Sequence, residues 1–288
     1  MNFREKLKSK KFIITSEIGP PKGVDVEPCL RHGASIKGRV DAVNVTDLQS
    51  SMMRLGSLAF SHLLIKRGVE PIYQLTCRDR NRLALQSDLL SAYALGIRNV
   101  LALTGDHPIL GDHPQAKAVY DLDSVGLLHA AKSLREGKDL SGAPLKGSPD
   151  FCMGAAVNPG AEPLEPEIIK MKKKIAAGAE FFQTQAIFDI RLFEKFAKLV
   201  KAFDVPILSG ILILKTASSA RYINRHVPGV FVPEGIVKEM DAAKDPAKKS
   251  IEIAARLAGE MKSVADGIHI MSIGMAEKIP QMLDALKI

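Results

Sequence analysis

Short β-branched or apolar runs alternate with longer segments of helical periodicity eight times along the chain, and nothing else in the sequence restricts the fold as tightly. The runs fall at Phe12–Ser16, Ala42–Thr46, Ile72–Leu75, Asn99–Leu103, Phe151–Val157, Phe181–Gln185, Pro206–Ile211 and Ile268–Ser272. Between them, Met53–Lys66 and Arg80–Leu95 carry apolar residues at helical spacing, and Ile168, Met171 and Ile175 share one face of Ile168–Ala177. Strands that are apolar almost throughout are parallel strands covered on both faces. Eight such β-then-α units in 288 residues predict an α/β protein, a (β/α)8 TIM barrel forming one domain over residues 1–288. A doubly wound open sheet is the alternative, weakened because neither GxGxxG nor GxxxxGK[ST] follows any of the runs. The stretch from Ala217 to Lys262 is too long for one helix and is broken at Pro228-Gly229, Pro233-Glu234-Gly235 and Asp245-Pro246, so extra helices are expected there.

Composition removes several function classes. With 46% hydrophobic residues the chain is not disordered, and without a long uncharged apolar run it has no membrane span. Only Phe12-Ile13-Ile14 follows the charged start, too little for a signal peptide, so a cytoplasmic protein is expected. Cys29, Cys77 and Cys152 lie far apart, which predicts reduced thiols rather than disulfides or a CxxC metal site. Gly105-Asp106-His107-Pro108 recurs as Gly111-Asp112-His113-Pro114, but both copies sit in one loop with no element to fix ligand geometry, so no metal is assigned. The net charge of +8 suits phosphates, polycarboxylates or an acidic protein. Nucleic acid is disfavoured, because there is no Trp and the basic clusters carry few aromatics.

In a barrel the catalytic groups stand where strands end. Glu17, on the edge of an apolar strand and before Gly19-Pro20-Pro21, is placed for the desolvation that raises a carboxyl pKa and makes a general acid; an ordinary ion-paired Glu is the competing reading. Thr104-Gly105-Asp106 lets a glycine turn bring amides and a carboxylate against a ligand, or else caps the next turn. Alternation puts Gln183 and Gln185 on one side, where an amide suits a heterocycle edge or a hydrogen bond within the rim. Arg78-Asp79-Arg80-Asn81-Arg82 is either an anion clamp at the mouth or a helix start with local ion pairs. Lys170, Lys173 and Lys174 share an arc that reads as a solvated helix face.

Ser16-Glu17-Ile18-Gly19-Pro20-Pro21, Asn44-Val45-Thr46, Leu75-Thr76-Cys77, Leu103-Thr104-Gly105-Asp106, Lys172-Lys173-Lys174-Ile175-Ala176-Ala177-Gly178-Ala179 and Gln183-Thr184-Gln185 with Phe188-Asp189 together resemble the methylenetetrahydrofolate reductase family, in order and spacing, over nearly the whole chain. The resemblance implies a barrel with a flavin across its C-terminal mouth, usually FAD with FMN as the alternative, that reduces 5,10-methylenetetrahydrofolate to 5-methyltetrahydrofolate. It implies Glu17 as general acid, Asp106 beside flavin and pterin, and Gln185 on the pterin. Thr46, Gln74, Thr104, Gly105, Tyr120, Asp121, Glu167, Lys170, Lys173 and Lys174 take positions of flavin or phosphate contacts. The sequence departs from the better-known bacterial pattern at Gln74, where a flavin-contacting His is common, at Ile223 in place of a nicotinamide-stacking Phe, and at Met275 in place of an Arg. That pattern resembles reductases of anaerobic, acetogenic one-carbon pathways, which work with an iron-sulfur or zinc-binding electron-delivering subunit; an acidic electron carrier and a homo-oligomer are also compatible. Two other readings stand beside it: a non-redox barrel enzyme acting on an anion through Glu17 and Asp106, and a folate-binding subunit without activity.

Overall fold

The structure, a computed structural model, describes residues 1–286, so the last two residues of the expected 1–288 domain lie outside it. Eight parallel strands, β1 (Ile13–Ile18), β2 (Ala42–Val45), β3 (Pro71–Thr76), β4 (Asn99–Leu103), β5 (Cys152–Val157), β6 (Phe181–Ala186), β7 (Ile207–Leu212) and β8 (Gly267–Met271), pair in sequence order and close with β8 on β1. This is the expected (β/α)8 barrel. β1 runs two residues further than the sequence indicates, which puts Glu17 inside the strand, in register with Asn44 of β2.

Helix α1 (Phe3–Lys8) precedes the barrel and closes its N-terminal face. A reciprocal Asn2–Glu5 capping box starts it, and its Phe3 and Leu7 pack with Ile13, Ala42, Ile72, Leu101, Cys152, Phe181 and Leu208 in a cluster of their own. The Phe3 and Phe181 rings meet edge to face at 5.3 Å. Gly154 is needed beside them, because a Cβ there would stand 2.2 Å from the Phe181 ring. The lower lumen is thus filled by apolar side chains, which leaves the C-terminal strand ends as the open mouth of the barrel.

Around the sheet lie α2 (Glu27–Ile36), α3 (Ser57–Lys66), α4 (Arg82–Ala94), α5 (Ser124–Arg135), α6 (Glu165–Ala176) and α7 (Ile190–Val200). Side-chain caps from Asn81, Asp123 and Asp189 start α4, α5 and α7. Helix α3 begins at Ser57 rather than Met53, because the preceding segment is an irregular loop with Leu48, Ser50 and Ser51 in left-handed conformations. The expected extra helices are α8 (Ala217–His226), α9 (Glu234–Asp241) and α10 (Pro246–Met261), and α11 (Ile279–Ala285) follows β8. Among the described residues no helix is long and apolar enough to cross a membrane.

Candidate active site

Two cavities compete. The larger, about 940 Å³, lies at the closed face between α1 and α7, lined by residues such as Leu7, Phe193, Val200 and Lys198. The smaller, about 330 Å³, opens at the C-terminal strand ends and gathers Glu17, Gln74, Thr104, Gly105, Asp106, Gln183, Gln185 and His269. Size favours the first, but the convergent polar groups at the strand ends make the second the candidate site.

Glu17 is 7% exposed. Burial pushes its carboxyl up to about 7, opposed by the Ser272 backbone amide and the Gln49 side chain, which favour the charged form. The strand-edge glutamate is therefore a buried acid and not an ion-paired surface residue; the described residues offer it no salt bridge. Beside it runs an amide network. Asn44 Nδ2 donates to Gln183 Oε1 at 2.7 Å, and Gln183 Nε2 donates back to Asn44 Oδ1 at 3.1 Å and to Thr15 Oγ1 at 3.3 Å. Thr15 Oγ1 also lies 3.0 Å from His269 Nδ1. Burial drives His269 down to about 3, so it is neutral at physiological pH. Gln183 is thus committed inside the lumen, whereas Gln185, on the same side two residues on, is exposed at the rim.

The β3–α4 segment resolves into two roles. Asn81 caps α4, Arg82 pairs with Asp121, and Arg80 pairs with Asp47 at 2.8 Å and with Asp88 at 2.9 Å. Asp47 is fully buried and also accepts from Ser57 Oγ, Thr76 N and Thr76 Oγ1, which welds β2 to β3. Arg78 instead turns inward to the mouth. The sequence places Asp47 at the end of the second run and Asn44 in a quoted motif without giving either a role, and it does not single out Gln49 or His269; the alternation that places Gln183 in the lumen places Asn44 and His269 there too.

Of the residues placed by resemblance, Gln74, Thr104, Gly105 and Asp106 line the mouth with Glu17 and Gln185. Gly105 has φ +91°, and the Tyr120 hydroxyl donates to its carbonyl at 3.1 Å. Thr46 is buried, and its hydroxyl has no partner among the described residues. A second group lies outward, past β5. Glu167 accepts from the Asn158 amide, while Lys174 is 5% exposed and donates to the Ala156 carbonyl at 2.6 Å. Burial first, and then Lys170, lower the Lys174 amine to about 8 against the pull of Glu167. The solvated-face reading of this lysine arc therefore holds for exposed Lys173 and fails for Lys174, because Lys174 turns in against β5, where it donates to the Ala156 carbonyl. Asp121 is held on the rim by Arg82, 2.9 Å away, and does not line the mouth. Ile223 is half-buried against the core on α8 and Met275 is 6% exposed, and neither lines the mouth. The first His-Pro pair shapes its loop, His107 accepting from the Ile109 amide, and His113 pairs with Asp112.

A protein-family model described as methylenetetrahydrofolate reductase matches residues 2–287. Methylenetetrahydrofolate reductase 2 of Schizosaccharomyces pombe is 26% identical over 233 residues, covering 73% of this chain and 34% of that protein. The 5,10-methylenetetrahydrofolate reductase of Escherichia coli is 26% identical over 284 residues, covering 92% of this chain and 87% of that protein. The chain therefore spans most of the bacterial relative and about a third of the yeast and nematode ones. The solved structure of an uncharacterised Clostridium thermocellum protein that binds two copies of 5-methyl-5,6,7,8-tetrahydrofolic acid superposes with a TM-score of 0.65 at 15% identity, covering 98% of this chain and 96% of that one. At that identity the likeness establishes the fold alone.

Proposed function

The chain belongs to the methylenetetrahydrofolate reductase family, and from that premise we propose that it reduces 5,10-methylenetetrahydrofolate to 5-methyltetrahydrofolate on a flavin held at the barrel mouth. The observation that carries the reading is Glu17, a buried carboxyl raised to about 7 on the wall of a cavity that also holds Asp106 and Gln185. A proton is what this reaction asks of the protein.

The residues present suit a flavin: an orphaned Thr46 hydroxyl, the Gln74 amide, and a Gly105 turn that admits close backbone approach. Thr46, Gln74, Thr104, Gly105, Asp106, Tyr120, Asp121 and Glu167 would hold the flavin, with the Lys170, Lys173 and Lys174 cations suited to its phosphates; FAD is the family's usual form and FMN the alternative. When bound, the flavin supplies the hydride that no side chain can. Glu17, whose raised pKa of about 7 keeps a substantial fraction protonated near neutral pH, gives its proton to the bridge nitrogen that leaves the methylene carbon, opening the ring to an iminium. Gln185 offers a donor and an acceptor to the pterin edge. Asp106 stands at the mouth as a charge that both ring systems would feel. The apolar packing at the base of the lumen and the mutually bonded Asn44–Gln183 pair give Glu17 the low-polarity setting that raises its pKa.

Electrons reach this site, in our reading, from a partner subunit or an acidic carrier, a route supported by the +8 charge. The experiment for the activity is the visible spectrum of the purified chain, followed by anaerobic methylenetetrahydrofolate reduction with an artificial reductant. A yellow protein that forms 5-methyltetrahydrofolate is expected. A colourless chain would favour the non-redox reading, and a coloured chain without turnover would favour a binding subunit.

A further inference from the structure

Arg78 is among the largest fully buried side chains of the molecule, at 2% exposure, and among the described residues the only Lys or Arg lining the mouth. Its fork reaches three loops. Nε and Nη2 hold the Asp79 carboxylate at 2.9 and 2.7 Å, Nη1 donates to the Asp106 carbonyl at 3.3 Å, and Nη2 donates to the Leu48 carbonyl at 3.4 Å. Its stem lies under Gly105, where a Cβ would stand 3.1 Å from Arg78 Cβ. Its own carbonyl accepts from Val119 N at 2.8 Å, which seats Tyr120 to bond the Gly105 carbonyl. Both carbonyls flanking the Asp106 amide and side chain are thus tied, directly or through Tyr120, to Arg78. The Asp106 carboxylate itself is exposed and has no hydrogen-bond partner among the described residues.

We propose that Arg78 is a positioning residue that fixes the Asp106 backbone so that its carboxylate meets the folate, an inference that rests on the folate reading above. Burying a guanidinium is costly, and filling space is a poor reason to retain one when an apolar side chain would serve. What a guanidinium adds is a rigid planar fork that reaches two carbonyls and a carboxylate together, which a lysine ammonium cannot reproduce. The result is a carboxylate whose backbone is locked while its oxygens stay unpaired and available to a ligand, the arrangement expected of a preorganised binding group.

The test is a double-mutant cycle on the dithionite-reduced, anaerobic full chain, so that no electron transfer accompanies binding. Affinity for 5-methyltetrahydrofolate is measured by calorimetry, and thermal melting in parallel, for the wild type, Arg78→Met, Asp106→Asn and the double variant. Each single change is expected to weaken binding roughly tenfold, and Arg78→Met to add less than about twofold in the Asp106→Asn background. Arg78→Lys should melt closer to the wild type yet bind nearly as weakly as Arg78→Met. A purely structural Arg78 would lower melting with additive or absent effects on affinity, and that result overturns the proposal. So does unchanged affinity in Asp106→Asn. If Arg78→Met does not fold, Arg78→Lys completes the same cycle with the same criteria. A wild-type chain that binds no folate refutes the functional reading itself, and that arm is independent of the variants.

Discussion

Asn44 and Gln183 reach across the lumen from β2 and β6 and exchange two hydrogen bonds, of 2.7 and 3.1 Å, and Asn44 is the β2 residue in register with Glu17. The pair satisfies groups that would otherwise be buried without partners, and it leaves Gln185 as the β6 amide free to meet a ligand.

Separate outcomes are therefore expected for two neighbouring glutamines. Gln183→Ala orphans the Asn44 amide and should cost about 1–3 kcal/mol in urea unfolding. Gln185→Ala, at an exposed rim position, should change stability by no more than about 0.5 kcal/mol while weakening folate binding. Equal losses of stability, or folate affinity that follows Gln183 alone, would reverse the assignment.

Glu17 also links stability to pH. Its carboxyl is raised from 4.5 to about 7 in the fold, so between those values the native state binds more protons than the unfolded chain. Its favourable contribution is full below pH 4.5 and is lost as pH rises through about 7. Glu17→Gln cannot ionise and should escape that loss, ending up to about 3 kcal/mol more stable than the wild type at pH 8, with the difference vanishing toward pH 4. Denaturant melts across that range check it, and parallel curves would mean that the carboxyl is not desolvated.

Asp106→Asn removes a negative charge from the mouth. The potential of bound flavin should rise, because the anionic reduced ring loses a repulsive neighbour, and folate affinity should fall with it. Spectroelectrochemical titration with and without folate reads both quantities. No movement in either would leave Asp106 a loop residue.

Much of this arrangement was legible in the sequence, and the parts that were not share a cause. Apolar runs such as Val100-Leu101-Ala102-Leu103 mark buried parallel strands, so all eight strands and the barrel follow from periodicity. Glu17 was readable as a carboxyl at the edge of such a run, although its place inside the strand was not, since β1 continues to Ile18. The Asn44–Gln183 pair, the His269–Thr15 contact and the Asp47–Arg80 weld were not, because the first joins strands that face each other across the lumen and the others join neighbouring strand ends, all brought together only when the barrel closes and its register is set. Helix α3 begins late because Leu55, three residues before Leu58, extends the helical spacing back into a loop whose earlier residues are left-handed, a conformation that composition does not report. Lys174 read as surface for a related reason: a lysine run looks solvated until the helix is docked and one member lies against β5.

The most direct test of the account is anaerobic stopped-flow of the pre-reduced protein against 5,10-methylenetetrahydrofolate, following flavin reoxidation in the wild type and in Glu17→Gln. General acid catalysis contributes roughly 10²–10⁴-fold, so reoxidation in the variant should slow by at least about 10²-fold, while its reduction by an artificial donor stays within about twofold. In the wild type, reoxidation should also slow above pH 7, as Glu17 loses its proton, since His269 stays neutral there. A loss under tenfold, or an equal loss in both half-reactions, would contradict the assignment of Glu17 as the proton donor.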